Sequence, residues 1–199
     1  MSPGATFERV YIALRAALTS GELRPGDPLE PMVLGSDLAA SITPVRDALH
    51  RLVGERLVEA PRNDGFRVPM LTEACLRHLY GWNLELLLLA LRGARRLSAP
   101  AADTELPDIA ALALAVARQH PNPELAASVA QLNARVAAAR AREQALLPDI
   151  ETELAQIRSS FEHADRAGLR RGLLAYHRRR VRVVPQLVEA LAGREPAAP

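Results

Sequence analysis

Ser41, Thr43, Arg46 and His50 set two hydroxyls, a guanidinium and an imidazole along one short stretch, at spacings that place them on the first turns of a helix. Such groups bond to phosphate oxygens and to base edges, and the free N–H groups of a helix N-terminus favour negative charge. The chemistry is that of contact with a nucleic acid. Thr43 reads as the N-cap and Pro44 as a first-turn residue, where the missing N–H costs nothing and φ is already helical. Val45, Ala48, Leu49 and Leu52 recur at helical spacing and predict one buried face, leaving Arg46, His50 and Arg51 to point elsewhere. A capped amphipathic helix is also what a plain core helix looks like, so the reading depends on its setting.

A second constellation lies near the C-terminus. Tyr176, His177 and Arg178 sit inside the series Arg166, Arg170, Arg171, Arg178, Arg179, Arg180 and Arg182. Steps of four along a helix put Arg166, Arg170 and Arg178 close to one face. The series is either a solvated face or, with Tyr176 and His177, the lining of a cavity that binds the carboxylate or phosphate of an anionic effector. Cys75 is open between a small core residue and a redox sensor, with Arg77 and His78 beside it and no resolving cysteine. No phosphate loop, metal-ligand pair, nucleophile elbow or paired catalytic carboxylate is present, so the sequence predicts no enzyme.

The elements that must position these groups are helical. The 199 residues are 49% hydrophobic and only 4% aromatic, a composition rich in Ala and Leu that favours helix. All 25 basic residues are arginine. Residues 1–70 carry net charge −1 and residues 71–199 net +3, so attraction to a polyanion rests on where the arginines stand, not on the total. One cysteine excludes an internal disulfide framework and fits a reducing cytoplasm. No charged leader precedes an apolar core, and the run Leu84–Leu91 is far shorter than the roughly 20 residues a bilayer requires. The expectation is a cytoplasmic protein without a membrane segment.

Periodicity predicts a helix over 6–18, a turn-rich connector over 21–29, a second helix over 31–39 and then the 41–52 helix, a helix-turn-helix pair. Leu57–Ala60 and Phe66–Val68 around the turn Pro61-Arg62-Asn63-Asp64-Gly65 predict a short β-hairpin. That order is a winged helix. From Thr72 the pattern predicts helices over 72–98, 107–119, 123–147, 148–163 and 166–191, the last kinked at Pro185, with a loop over 98–105. The fold class is therefore mostly α: an N-terminal winged helix-turn-helix, residues 1–70, followed by an all-α helical bundle, residues 71–199.

Val10-Tyr11-Ile12-Ala13-Leu14-Arg15, Ser20 to Leu29, Thr43 to Leu49, Arg51 to Val58 and Gly65 to Val68 resemble the DNA-binding domain of GntR-family regulators. The resemblance implies that Thr43 and Arg46 contact DNA and that Arg62 and Gly65 lie in a wing near the minor groove. Two arginines usual in the family's FadR-like branch are replaced here, by Ile42 and within Pro31-Met32, and the turn glycine is Ala39. Since a bidentate Arg–guanine pair contributes about 1–3 kcal/mol of discrimination, the preferred operator should differ from the family's usual one. Ile42 is open between a thymine methyl and inward packing; Arg46 between DNA and an ion pair with Asp47 or Glu55.

Residues 72–192 resemble, more weakly, the effector-binding domain of that branch. Many of its members hold a divalent metal with one Asp and three His; here Val129 and Asn133 fall at the Asp-x-x-x-His positions, His177 at the last ligand, and His163 too close to it to serve as the remaining one. The implied set is incomplete, and no metal or other cofactor is expected. Two functional readings follow. One is a homodimeric regulator, a repressor, that binds a palindromic double-stranded DNA operator through Ser41, Thr43, Arg46, His50, Arg62 and Gly65 and answers to a small-molecule effector such as an organic acid through Tyr176, His177 and Arg178. The other is a ligand-binding or interaction module whose winged helix no longer binds DNA.

Overall fold

The computed structural model describes residues 3–62, 64–101 and 104–193. Asn63 of the predicted turn and Ala102 and Asp103 of the predicted loop lie outside them. The described chain is mostly helical: α1 (Pro3–Ser20), α2 (Pro31–Asp37), α3 (Ile42–Gly54), α4 (Glu73–Gly93), α5 (Ile109–Ala117), α6 (Pro123–Leu146), α7 (Ile150–Glu162), α8 (Arg166–Arg182) and α9 (Val184–Leu191). No helix among these residues is long and apolar enough to cross a membrane.

Two apolar cores organise the helices. Val10, Tyr11, Leu14 and Leu18 of α1 pack on Val45, Ala48, Leu49 and Leu52 of α3, closed below by Leu29, Leu57, Val58 and Val68. The stripe predicted for α3 is thus the buried one. Polar clamps hold the pair: the Tyr11 hydroxyl donates to Glu55 Oε1 at 2.7 Å, and the Arg51 guanidinium lies 3.8 Å from the Tyr11 ring centre. The second core gathers α4 to α9 around Leu76, Tyr80, Leu87, Val129, Val136, Phe161, Leu169 and Leu173.

The predicted hairpin is smaller than its sequence suggests. Glu59 and Arg67 exchange both backbone hydrogen bonds, at 2.9 and 3.0 Å, and form an isolated bridge rather than strands. The connector supplies the other side, with Leu29 N–H donating to Phe66 O at 2.8 Å and Val68 N–H to Asp27 O at 3.0 Å. Sequence alone reads residues 26–29 as turn, because their Pro and Gly content hides an extended segment.

Helix ends follow local chemistry. Thr72, Asp108, Asn122 and Asp165 accept hydrogen bonds from the first-turn N–H groups of α4, α5, α6 and α8, the usual work of N-cap side chains. Thr43 does not cap α3; the N-cap position falls on Ser41, whose side chain makes no capping bond, and Thr43 and Pro44 stand inside the first turn. The predicted kink at Pro185 is a full break. α8 stops at Arg182 and α9 restarts at Val184 with proline in its first turn, where a missing N–H is harmless.

The α2–α3 turn carries strain. Ala39 adopts φ +47°, a left-handed backbone that costs a Cβ-bearing residue roughly 1–2 kcal/mol. Arg9 braces it, donating to Leu38 O at 2.7 Å and Ala39 O at 3.2 Å. Gly35 is needed on the other side, since a Cβ there would stand 2.8 Å from Ala40 O. Ala39→Gly should therefore raise stability by about 0.5–1 kcal/mol, the relief of strain outweighing the looser unfolded chain, whereas Gly35→Ala lowers it. Urea unfolding midpoints read both; a midpoint for Ala39→Gly at or below the parent's would show that the turn is not strained.

Candidate nucleic-acid interface and ligand cavity

The helix-turn-helix presents the N-terminal end of α3. Ser41, Ile42, Thr43, Arg46 and His50 are all exposed. Arg46 makes no ion pair with Asp47, Glu55 or any other described residue, while Arg51, five positions on, is held by Glu8 at 3.5 Å, Glu55 at 3.6 Å and the Tyr11 ring. The resemblance singles out Arg46 over Arg51, and the structure gives the two different settings, one unpaired among the described residues and one clamped. Ile42 does not pack inward, with 43% of its surface exposed. His50 stands edge-on to Phe66, ring centres 5.0 Å apart, and so joins α3 to the wing. Arg62 and Gly65 lie exposed in the wing loop, Gly65 at φ +67°, where a left-handed turn suits glycine.

The helical bundle encloses a cavity of about 330 Å³ between α5, α6, α7 and α8, lined among others by Asn133, Arg140, Glu143, Glu153, Tyr176 and Arg180. Arg180 is almost wholly buried and neutralised: Nε donates to Glu143 Oε2 at 2.9 Å, Nη1 to Glu153, and the guanidinium lies 3.6 Å from the Tyr176 ring centre. Tyr80 completes the set, donating to Glu143 Oε1 at 2.7 Å; burial and the neighbouring Glu143 carboxylate push its pKa well up. Arg140 differs. Its Nη1 donates to Asn133 Oδ1 at 2.9 Å, but Nε and Nη2, the two donors of one guanidinium edge, are buried without partners, as is the Tyr176 hydroxyl. Buried donors left unmade cost about 1–3 kcal/mol each, and these belong to residues that line one cavity.

Residues 6–68 match the family of bacterial regulatory proteins, gntR family. The N-terminal unit therefore carries a gntR-family domain. The HTH-type transcriptional repressor GlaR of Escherichia coli (strain K12) is 33% identical over 87 residues, covering 43% of this chain and 40% of that protein, so the match spans less than half of the relative. Two solved structures are similar over nearly the whole chain. E. coli McbR/YncC superposes with a TM-score of 0.67 at 21% identity, covering 91% of this chain and 97% of that one. A crystal structure described as GntR from Rhodococcus sp. RHA1 superposes at 0.72 with 17% identity, covering 92% and 98%. At these identities the likeness is one of fold, a winged helix-turn-helix followed by a helical bundle.

The second site differs from the one the residue spacing predicts. Of Tyr176, His177 and Arg178, only Tyr176 reaches the cavity. Arg178 is exposed on the outer face of α8, as are Arg170, Arg171 and Arg182. Arg166 instead reaches back to Leu91 O and, at 2.8 Å, to Ala94 O at the end of α4. His177 is buried beside the cavity, its Nδ1 2.8 Å from Leu173 O and its Nε2 3.0 Å from Asn83. Cys75 is half-buried at the start of α4, against the bundle core.

The residues at the family's metal positions do not fit a metal. Val129 is a buried hydrocarbon, the Asn133 amide is spent on Ala110 O and Arg140, and both His177 nitrogens are engaged. Sequence reasoning missed Arg140, named Arg180 only within the arginine series and Asn133 only at a metal position; all three carried a signal. Val129, Asn133, Val136, Arg140 and Glu143 follow one another at steps of four and three along α6, and Leu169, Leu173, Tyr176 and Arg180 do so along α8, so each polar group lies in phase with a buried stripe.

Burial pushes His177 down to about 4, with Arg140 and Arg180 adding to the effect and the Leu173 carbonyl opposing it. The folded ring is therefore neutral. With Nδ1–H donating to Leu173 O, Nε2 becomes an acceptor, satisfied when Asn83 turns its amide NH2 toward it; that turn also gives the unpartnered Asn83 Nδ2 its bond. An unfolded histidine takes up a proton near 6.5, and the folded one only near 4. Stability contributed by this group is complete above the unfolded value and is lost as pH falls through the window between them, by about 1.4 kcal/mol per pH unit. Urea unfolding at stepped pH should show that slope between about pH 6.5 and 5, flattened in His177→Gln. An equal slope in the variant would remove His177 as its source.

Proposed function

We propose that this chain is an effector-responsive repressor that binds a palindromic operator as a homodimer, residues 1–70 reading DNA and residues 71–199 holding the effector and the dimer contact. The carrying observation is the free N-terminal end of α3, with Ser41, Thr43 and Arg46 exposed beside an Arg51 already committed to α1. One short helix makes few base contacts, so a two-fold pair reading two half-sites is the economical arrangement. Exposed Trp82 and Leu89 on α4, at 55% and 42% of their surface, support a partner of like kind on that face. His50, Arg62 and Gly65 add contacts from the α3–wing junction and the wing.

In gel shifts with DNA from upstream of its own gene, the retarded complex is expected to contain two chains and to weaken steeply with salt. Arg46→Ala should lose about tenfold or more in affinity, in keeping with about 1–3 kcal/mol for a base-contacting arginine, and Arg51→Ala much less once folding is matched. Equal losses would sink the assignment of Arg46. Absence of any shift at low salt would favour the module whose winged helix no longer binds DNA.

The effector reading keeps Tyr176 and takes Arg140 in place of His177 and Arg178. The unpartnered edge of Arg140 holds two parallel donors, the geometry that a single carboxylate accepts, and the Tyr176 hydroxyl is a third; all three are buried, so a side-chain shift must turn them to the cavity when a ligand binds. Asp108 and Glu151 at the exposed rim repel a second negative charge, and 330 Å³ lies at the small end of ligand cavities. A small monocarboxylic acid fits best. In thermal-shift titrations lactate or glycolate should raise the melting temperature saturably and succinate and citrate should not, with the response lost in Arg140→Gln and reduced in Tyr176→Phe. No response to either monocarboxylate, or the same response in Arg140→Gln, would overturn this site.

A further inference from the structure

At the mouth of the helix-turn-helix, where α2 faces the start of α3, lies an open groove of about 730 Å³ lined by residues that include Met32, Ser36, Ala39, Ser41, Ile42 and Thr43. No charged side chain lines it. Its two large side chains are apolar and exposed, Met32 at 69% and Ile42 at 43% of their surface. They stand on separate helices, so the patch is built by the turn itself. Arg46, free of protein partners, follows one turn further along α3.

A reading head with no hydrogen-bond donor on its two longest side chains has little to offer the N7 and O6 acceptors of guanine. The one apolar feature of a base edge in the major groove is the C5-methyl of thymine, which aliphatic side chains contact directly. Covering that methyl with Met32 and Ile42 removes water from three apolar surfaces at once. The groove is continuous with the exposed end of α3, so DNA lying along α3 must pass over it.

We propose that Met32 and Ile42 read a thymine methyl in each half-site, making this pair the specificity determinant of the α2–α3 turn. The inference rests on the DNA-reading role proposed above. Its signature is sensitivity to one methyl group at unchanged base pairing. Burying a methyl is equivalent to about fourfold in affinity, so each contacted thymine exchanged for uracil costs about that factor.

The experiment takes duplexes retained by the full chain from a randomised pool at low salt, then resynthesises them with deoxyuridine in place of thymidine, one position at a time. The expected result is a loss of about fourfold at one position of each half-site, symmetric about the centre. In Ile42→Ser, and separately in Met32→Gln, thymidine and deoxyuridine duplexes should bind with equal affinity at that position, while the salt dependence stays that of the parent. Indifference of the parent chain to every exchange overturns the proposal alone. So does discrimination that survives unchanged in both variants, which assigns the effect to DNA shape. Failure to retain any duplex overturns the DNA-reading role as well, and capture of a protein on an Ile42-dependent face would not restore it.

Discussion

The buried cation of Arg180 sets the form of the helical bundle. An ion taken out of water is tolerable only when its charge and its donors are met, and here α6 supplies Glu143 and α7 supplies Glu153, while α4 reaches Glu143 through Tyr80. One guanidinium on α8 thereby fixes the spacing of four helices. Removing one partner from such a set is expected to cost about 3–5 kcal/mol, because a charge is left buried and unpaired. The same arrangement explains the cavity. Arg180 has its carboxylates and needs no ligand; Arg140, one turn before Glu143 on α6, has only an amide and leaves one edge unpartnered.

In the N-terminal unit a comparable division operates between Arg51 and Arg46. Arg51 is stacked on Tyr11 and flanked by two carboxylates, so its charge is used up in joining α3 to α1. Arg46 is left with its full charge facing solvent. Exposed ion pairs of the Arg51 type contribute little individually, with a median near 0–1 kcal/mol; their effect is to fix the orientation of α3, and an oriented helix is what a groove can read. The strained Ala39 turn is tolerated for the same reason, since Arg9 bonds both carbonyls beside it.

What the sequence made legible was whatever repeats. The stripe Val45, Ala48, Leu49 and Leu52 and the helix starts near 72 and 123 are local signals, and each lies where it was expected, while Pro185 marks an interruption that is a break rather than a kink. What depended on pairing at a distance was less legible. Residues 26–29 become extended only because Phe66 and Val68 come back to bond with them. The cavity residues failed for a different reason: a run of three arginines at 178–180 offers every face of a helix, and charge alone favoured the accessible Arg178. The heptad phase of Tyr176 and Arg180, and of Asn133 and Arg140, was the better guide, because a polar residue in phase with a buried stripe must find partners inside.

α6 is where the two halves of the molecule meet. Asn133 and Arg140 face the cavity, while Ala134 packs against the N-terminal core and Arg142 donates to Gly21 O at 3.4 Å, just beyond α1. One helix thus has one face on the cavity and another on the N-terminal unit. An effector changes DNA affinity only to the extent that it binds the DNA-competent and incompetent arrangements differently. In the proposed function that difference would come from a carboxylate on Arg140, which stands on the same helix that α1 packs against and three residues before the Glu143 that holds Arg180.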